Sequence, residues 1–242
     1  MRETFRTLAC VGALATLLAG CGGATSTGND MRQGGRNVQT ERGQQSHPQP
    51  VNRLEVDSDS GNIAVRPGQG PGADVQHTLR WNGEKPQLTQ VIEGDTLRIT
   101  AQCPRGGGPD LCEVDLMVAV PASSAVHTDV AAGDVSVSDL AGDLRLRSAA
   151  GNVAGAWLRS ATVTAGSSAG WVELTFSGPP RSVDAESAAG DVDVYVPRTG
   201  PVYAVQATSA AGDVDVQVPD QPDADTTITA RSSAGDVTVG YG

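Results

Sequence analysis

Ser187-Ala188-Ala189-Gly190-Asp191-Val192-Asp193-Val194 recurs unchanged as Ser209-Ala210-Ala211-Gly212-Asp213-Val214-Asp215-Val216. Related turns centre on Gly133, Gly151, Gly170 and Gly235, with a lesser one at Gly142. Successive major glycines lie 18, 19, 20, 22 and 23 residues apart. Self-similarity at such a period is the signature of stacked repeats. Alignment on the glycines exposes ladders. Seven residues before each stand Val126, Leu144, Val163, Val183, Val205 and Ile228; two after stand Val135, Val153, Val172, Val192, Val214 and Val237. Four after, every position is Val or Leu except Gly155. Odd offsets before the glycine and even offsets after it are the inward positions of two short strands flanking a turn.

One such unit cannot bury its own apolar face, whereas stacking places each inward valine on its equivalent about 4.8 Å above. The expected fold is therefore all-β: a β-solenoid with two short parallel strands per coil of 18–23 residues, over 127–242. A sandwich with similar hairpins is the rival. Alternating runs over 51–126, with a hairpin turn at Gly94-Asp95, predict a mixed or antiparallel β region in front of it. Ser148, Ser167, Ser187, Ser209 and Ser232 stand three before the glycines, where their hydroxyls can bond turn backbone. These Ser-Ala-Gly-Asp-Val turns behind a β-rich lead-in resemble the bacterial "putative-adhesin" family, a β-solenoid domain of unknown function. The likeness covers about residues 52–242 and implies an envelope location, with no catalytic residue carried over.

The N-terminus adds an address. Residues 1–20 read as a signal peptide: Arg2 and Arg6 precede an apolar run from Leu8 to Leu18, short of the about 20 residues a spanning helix needs. The run closes in Leu18-Ala19-Gly20-Cys21, which resembles the lipobox of bacterial lipoproteins. That resemblance implies cleavage before Cys21 and acylation (palmitate or a similar chain) of its thiol and amine, hence an extracytoplasmic protein held to a membrane by lipid. Residues 21–50, polar and almost free of branched aliphatics, predict a disordered tether. Cys103 and Cys112 then remain and should form a disulfide in an oxidising compartment.

The net charge of −11, with Lys85 the only lysine, argues against nucleic-acid binding. No nucleophile elbow, phosphate loop or metal-ligand cluster is legible, so no cofactor, no catalytic residue and no enzyme is expected. Asp191, Asp213 and Asp236 stack after their glycines and are weak cation candidates; a solvated turn edge is the favoured reading. Trp157 falls at an inward offset, where it would fill the space above Gly155 rather than serve as a sugar platform. Val237, Val239 and Tyr241 carry the inward ladder to the terminus, so the last coil should expose an interaction edge open to self-association or to a partner. The expected function is a lipid-anchored, non-enzymatic envelope protein presenting its solenoid for adhesion to an envelope protein or glycan. A purely structural module and a polysaccharide-acting β-helix enzyme are the alternatives.

Overall fold

The computed structural model describes residues 37–104 and 111–242. The expected signal peptide and Cys21 lie outside the described residues. Among those described, the regular structure is strand throughout. The first part of the chain forms β1 (Gln39–His47), β2 (Arg53–Ser58), β3 (Ile63–Pro67), β4 (Ala73–Trp81), β5 (Gln87–Glu93), β6 (Thr96–Gln102) and β7 (Cys112–Val120). The repeats supply β8 (Ala125–Ala132), β9 (Val135–Ser138), β10 (Leu144–Ala150), β11 (Val153–Leu158), β12 (Thr162–Ala169), β13 (Val172–Phe176), β14 (Ser182–Ser187) and β15 (Val192–Val196). They close with β16 (Ala204–Ser209), β17 (Val214–Val216), β18 (Thr227–Ser232) and β19 (Val237–Tyr241).

Two facing sheets result, ordered β1-β4-β7-β3-β9-β11-β13-β15-β19-β17 and β16-β18-β14-β12-β10-β8-β2-β6-β5. The glycine-aligned ladders are the observed register. Leu144 pairs with Val126 and Val163, and Val153 with Val135 and Val172, all in parallel. Val126, Val135, Val163, Val172, Val192 and Ile228 are all buried. The inner row narrows along the column from Ile99, Val56 and Leu146 to Ala165, Ala185 and Ala230. The two sheets can therefore approach more closely toward the C-terminal repeats.

The structure corrects the expected domain plan in two places. First, the later part of the tether expected over 21–50 is a strand, because Gln39–His47 pairs antiparallel with β4 along its full length. A polar segment that cannot fold alone still forms a strand when an existing edge offers it a backbone ladder. Second, no boundary falls at 126/127. The pair β2–β3 is already a coil of the column, with Leu54 on Val126 and Ile63 on Val135. The expected mixed character is present: β1, β4 and β5 run antiparallel to their neighbours, whereas β2 and β3 pair only in parallel.

Coil order also departs from chain order at both ends. β2–β3 lies between β6–β7 and β8–β9, and β18–β19 lies between β14–β15 and β16–β17. The expected interaction edge at Val237, Val239 and Tyr241 is thereby overturned. β19 is bonded on one side to β15 and on the other to β17, and Val237 and Val239 are fully buried. A loop over 217–226 carries the chain back inside β17, so the edge belongs to the preceding repeat.

Candidate functional site

The turn edge carries two hydrogen-bond ladders that explain its sequence. Each serine three before the glycine donates to the glycine carbonyl of the adjoining coil: Ser148 to Gly133 at 2.8 Å, Ser167 to Gly151 at 2.7 Å, Ser187 to Gly170 at 2.8 Å, Ser232 to Gly190 at 2.9 Å and Ser209 to Gly235 at 2.7 Å. Where the residue after the glycine is Asp or Asn it accepts from the next coil, and Trp171 interrupts the row. The Asn152 amide donates to Asp134 Oδ1 at 2.7 Å, Asp236 to Asp191 Oδ1 at 2.8 Å and Asp213 to Asp236 Oδ1 at 2.8 Å. Glycine is required between them. Gly151 sits at φ +153°, and a Cβ there would fall on the carbonyl oxygen of Gly133.

These bonds give the acidic turns a structural task. Asp191 and Asp236 hold the backbone amides of Asp236 and Asp213, in the column order Asp191, Asp236, Asp213. Among the described residues no group of three or more His, Cys, Asp or Glu has metal-holding geometry. The histidines do not converge either. His47 on β1 bonds Gln90 at 2.9 Å, His77 on β4 packs over Gly43, and His127 lies on β8 beside Glu55 of β2. The outer face of the β16-to-β5 sheet carries a groove of about 680 Å³ lined by Arg147, Ser168, Glu186, Arg231 and Ser233. Its charges are partly paired, with Arg231 Nη1 at 3.2 Å from Asp184.

Trp157 is where the structure reverses the sequence reading most sharply. A bulge between Gly155 and Leu158 shifts the parity of β11, so Leu158 turns inward and pairs with Phe176. Leu158 is fully buried and fills the space beside Gly155, while Trp157 is 62% exposed. Its φ of +56° is an outlier for a bulky side chain. Asp139 on the neighbouring coil shares the same φ, and its amide donates to Ala156. Arg159 reaches back to the Asp139 carbonyl at 3.1 Å, and the Ser177 hydroxyl donates to Trp157 at 2.8 Å. Leu140 and Leu158 both stand seven after a glycine; that odd offset was the sequence signal of the flip.

The two ends of the column differ in chemistry. At the β1–β5 end Trp81 closes the core, Lys85 lies 5.7 Å over its ring and forms an ion pair with Glu41 at 2.7 Å. The disulfide between Cys103 and Cys112 ties β6 to β7 at the same end. At the β16–β17 end Val205 and Ala207 are only half-buried, and Val202, Val214 and Val216 are exposed. Beside it Tyr203 is buried with its hydroxyl unpartnered; burial, then the neighbouring Tyr241, raises its pKa.

A stack of short parallel coils joined by Ser and Asx ladders matches one known family model, Toastrack DUF4097, over residues 113–241. The chain belongs to the Toastrack family. This Toastrack chain is also similar in fold to a crystal structure described as a "putative cell adhesion protein" from Clostridium sporogenes. That likeness has a TM-score of 0.52 at 11% identity and covers 84% of this chain and 100% of the other. A "putative adhesin" from Bacteroides fragilis gives 0.48 at 14% identity, covering 84% and 97%. One from Parabacteroides distasonis gives 0.39 at 13%, covering 85% and 98%. No curated protein matches the chain. At these identities the likeness speaks to the fold alone.

Proposed function

We propose that this Toastrack protein is a non-enzymatic adhesive module of the cell envelope, anchored by lipid on Cys21, that binds a surface glycan through Trp157. The observation that carries the reading is the exposed indole on a backbone turn that most side chains avoid. Backbone strain at a bulky residue lowers stability, and such strain gathers where a side chain must be aimed. Tryptophan is also the residue most enriched among binding hot spots. A flat indole with Asp139, Arg159 and Ser177 close by in the structure combines an apolar platform with hydrogen-bonding groups, the pairing a pyranose ring requires. Lipobox, signal-length apolar run and disulfide all favour an exported chain, and the adhesin descriptions of the fold neighbours are consistent with it.

The decisive experiment compares wild type with Trp157→Asn for binding to polysaccharide isolated from bacterial envelopes. Loss of saturable binding, with an equal or higher melting temperature, supports the reading. Unchanged binding, or no binding by the wild type, removes it and leaves a structural module. Detergent-phase partitioning of Cys21→Ser tests the anchor separately: the variant should leave the detergent phase, and wild-type partitioning would refute lipidation.

A further inference from the structure

The terminal coil β16–β17 presents an unfinished copy of the interactions that join the coils beneath it. From Gly133 onward each coil inside the column receives a serine hydroxyl on its glycine carbonyl, and every one but the Trp171 coil offers an Asx oxygen to the next coil's amide or to that of the end coil. Asp236 accepts from the Asp213 amide, and Ser209 donates to Gly235. The Asp213 carboxylate and the Gly212 carbonyl form the last rung. β17 bonds β19 through the Asp213 carbonyl, which accepts from Val237, and through the Gln217 amide, which donates to Val239. Alternation in a parallel ladder then turns the N–H and C=O of Val214 and Val216 outward. Their side chains are 45% and 40% exposed at the end of the core. In the other sheet the returning loop covers the start of β16: Val205 donates to Asp220 at 2.9 Å and Gln221 to the Tyr203 carbonyl at 2.8 Å. β17, by contrast, has no strand and no such bonds on its outer side among the described residues.

Charge selects what can sit there. Residues 199–230 contain Asp213, Asp215, Asp220, Asp223 and Asp225 and no lysine or arginine. A second copy docking by the same edge would bring identical carboxylates into opposition. A copy stacking head to tail would present the polar β1–β5 end instead. We propose that β17 accepts one further parallel strand from a partner segment in which apolar residues alternate with lysine or arginine. The apolar residues would cover Val214 and Val216, the cations would face Asp213 and Asp215, and a partner amide would fill the Asp213 rung. This surface is separate from Trp157.

The test titrates the full chain in detergent against a fluorescent synthetic peptide of alternating lysine and valine, read by anisotropy. Saturable binding that weakens with salt is expected. Asp215→Asn and Val216→Lys should each weaken it about tenfold, N-methylation of the peptide valines should abolish it, and Trp157→Asn should leave it unchanged. Asp215 is exposed, so Asp215→Asn keeps the test valid should Val216→Lys unfold the end coil. Equal binding by a glutamate-valine peptide, wild-type affinity in Asp215→Asn, or a dimer by light scattering that Val216→Lys dissociates would each overturn the proposal.

Discussion

Placing the chain-terminal coil inside the column makes a pair of substitutions behave opposite to their sequence positions. Val239 is fully buried, bonded in register between Val194 and Val216. Val239→Asp forfeits the burial of a valine, about 1.5–3 kcal/mol. Its carboxylate must also lose water or take a proton, and a pKa raised by about 3 units costs about 4 kcal/mol at neutral pH. Together these reach about 5–7 kcal/mol. Val216 is 40% exposed on the edge strand. Val216→Asp forfeits about 1 kcal/mol of partial burial and adds about 1 kcal/mol of repulsion from nearby carboxylates through water. At roughly 3 °C per kcal/mol for a chain of this size, the two melts should separate by about 10 °C. Circular dichroism melts of both variants, with urea unfolding as a check, measure the gap. Were Val216→Asp to melt as low as Val239→Asp, or lower, the order β15-β19-β17 would be wrong.

Thr128 is fully buried with its hydroxyl unpartnered, so Thr128→Val should raise stability by about 1 kcal/mol in urea unfolding; a loss would mean the hydroxyl has an unseen partner. Burial raises the Tyr203 pKa, so its neutral form is the one the fold favours. The stability it contributes is intact below the ordinary phenol value of about 10 and is lost as pH rises through the raised one. Tyr203→Phe should therefore soften alkaline unfolding without lowering the melt at pH 7, and an unaltered alkaline limb would refute this. Cys103→Ser with Cys112→Ser opens a short loop and should cost about 2–3 kcal/mol, read as the difference from wild type without reductant. An equal melt for the two proteins would show that the bond constrains nothing.

Much of the fold was legible because a solenoid repeats its own evidence. Each inward valine is backed by its equivalents one coil away, so the register at Val135, Val153 and Val172 follows from one alignment. The same template read from Gly61 finds Leu54, Val56 and Ser58 before it and Ile63 and Val65 after it, so the first coil was also readable. The bulge at Trp157 was harder. One residue of slip exchanges the two faces of a strand, and only the odd spacing to Leu158 marks it. β1 and the coil order were not legible from pattern. β1 has no apolar face of its own to show, and the coils at Gly212 and Gly235, which share a Ser-x-Ala-Gly-Asp-Val motif, can exchange places without altering any ladder.

Strand order departs from chain order toward both ends of the column. β18–β19 lies one layer in from the β16–β17 end, whereas β2–β3 lies inside β6–β7, with β4, β1 and β5 still farther out. A coil at the end of a stack is bonded on one side only and opens more readily. Insertion gives both β2–β3 and β18–β19 a bonded strand on each side. A consequence for folding follows. β16–β17 pairs only with β18–β19, which comes later in the chain. Simple propagation from one coil to the next therefore stops at β15, and β16–β17 can dock only on β18–β19. The loop over 217–226 that permits this also covers the start of β16 and leaves β17 bare, so the step that buries β18–β19 is the one that exposes the edge.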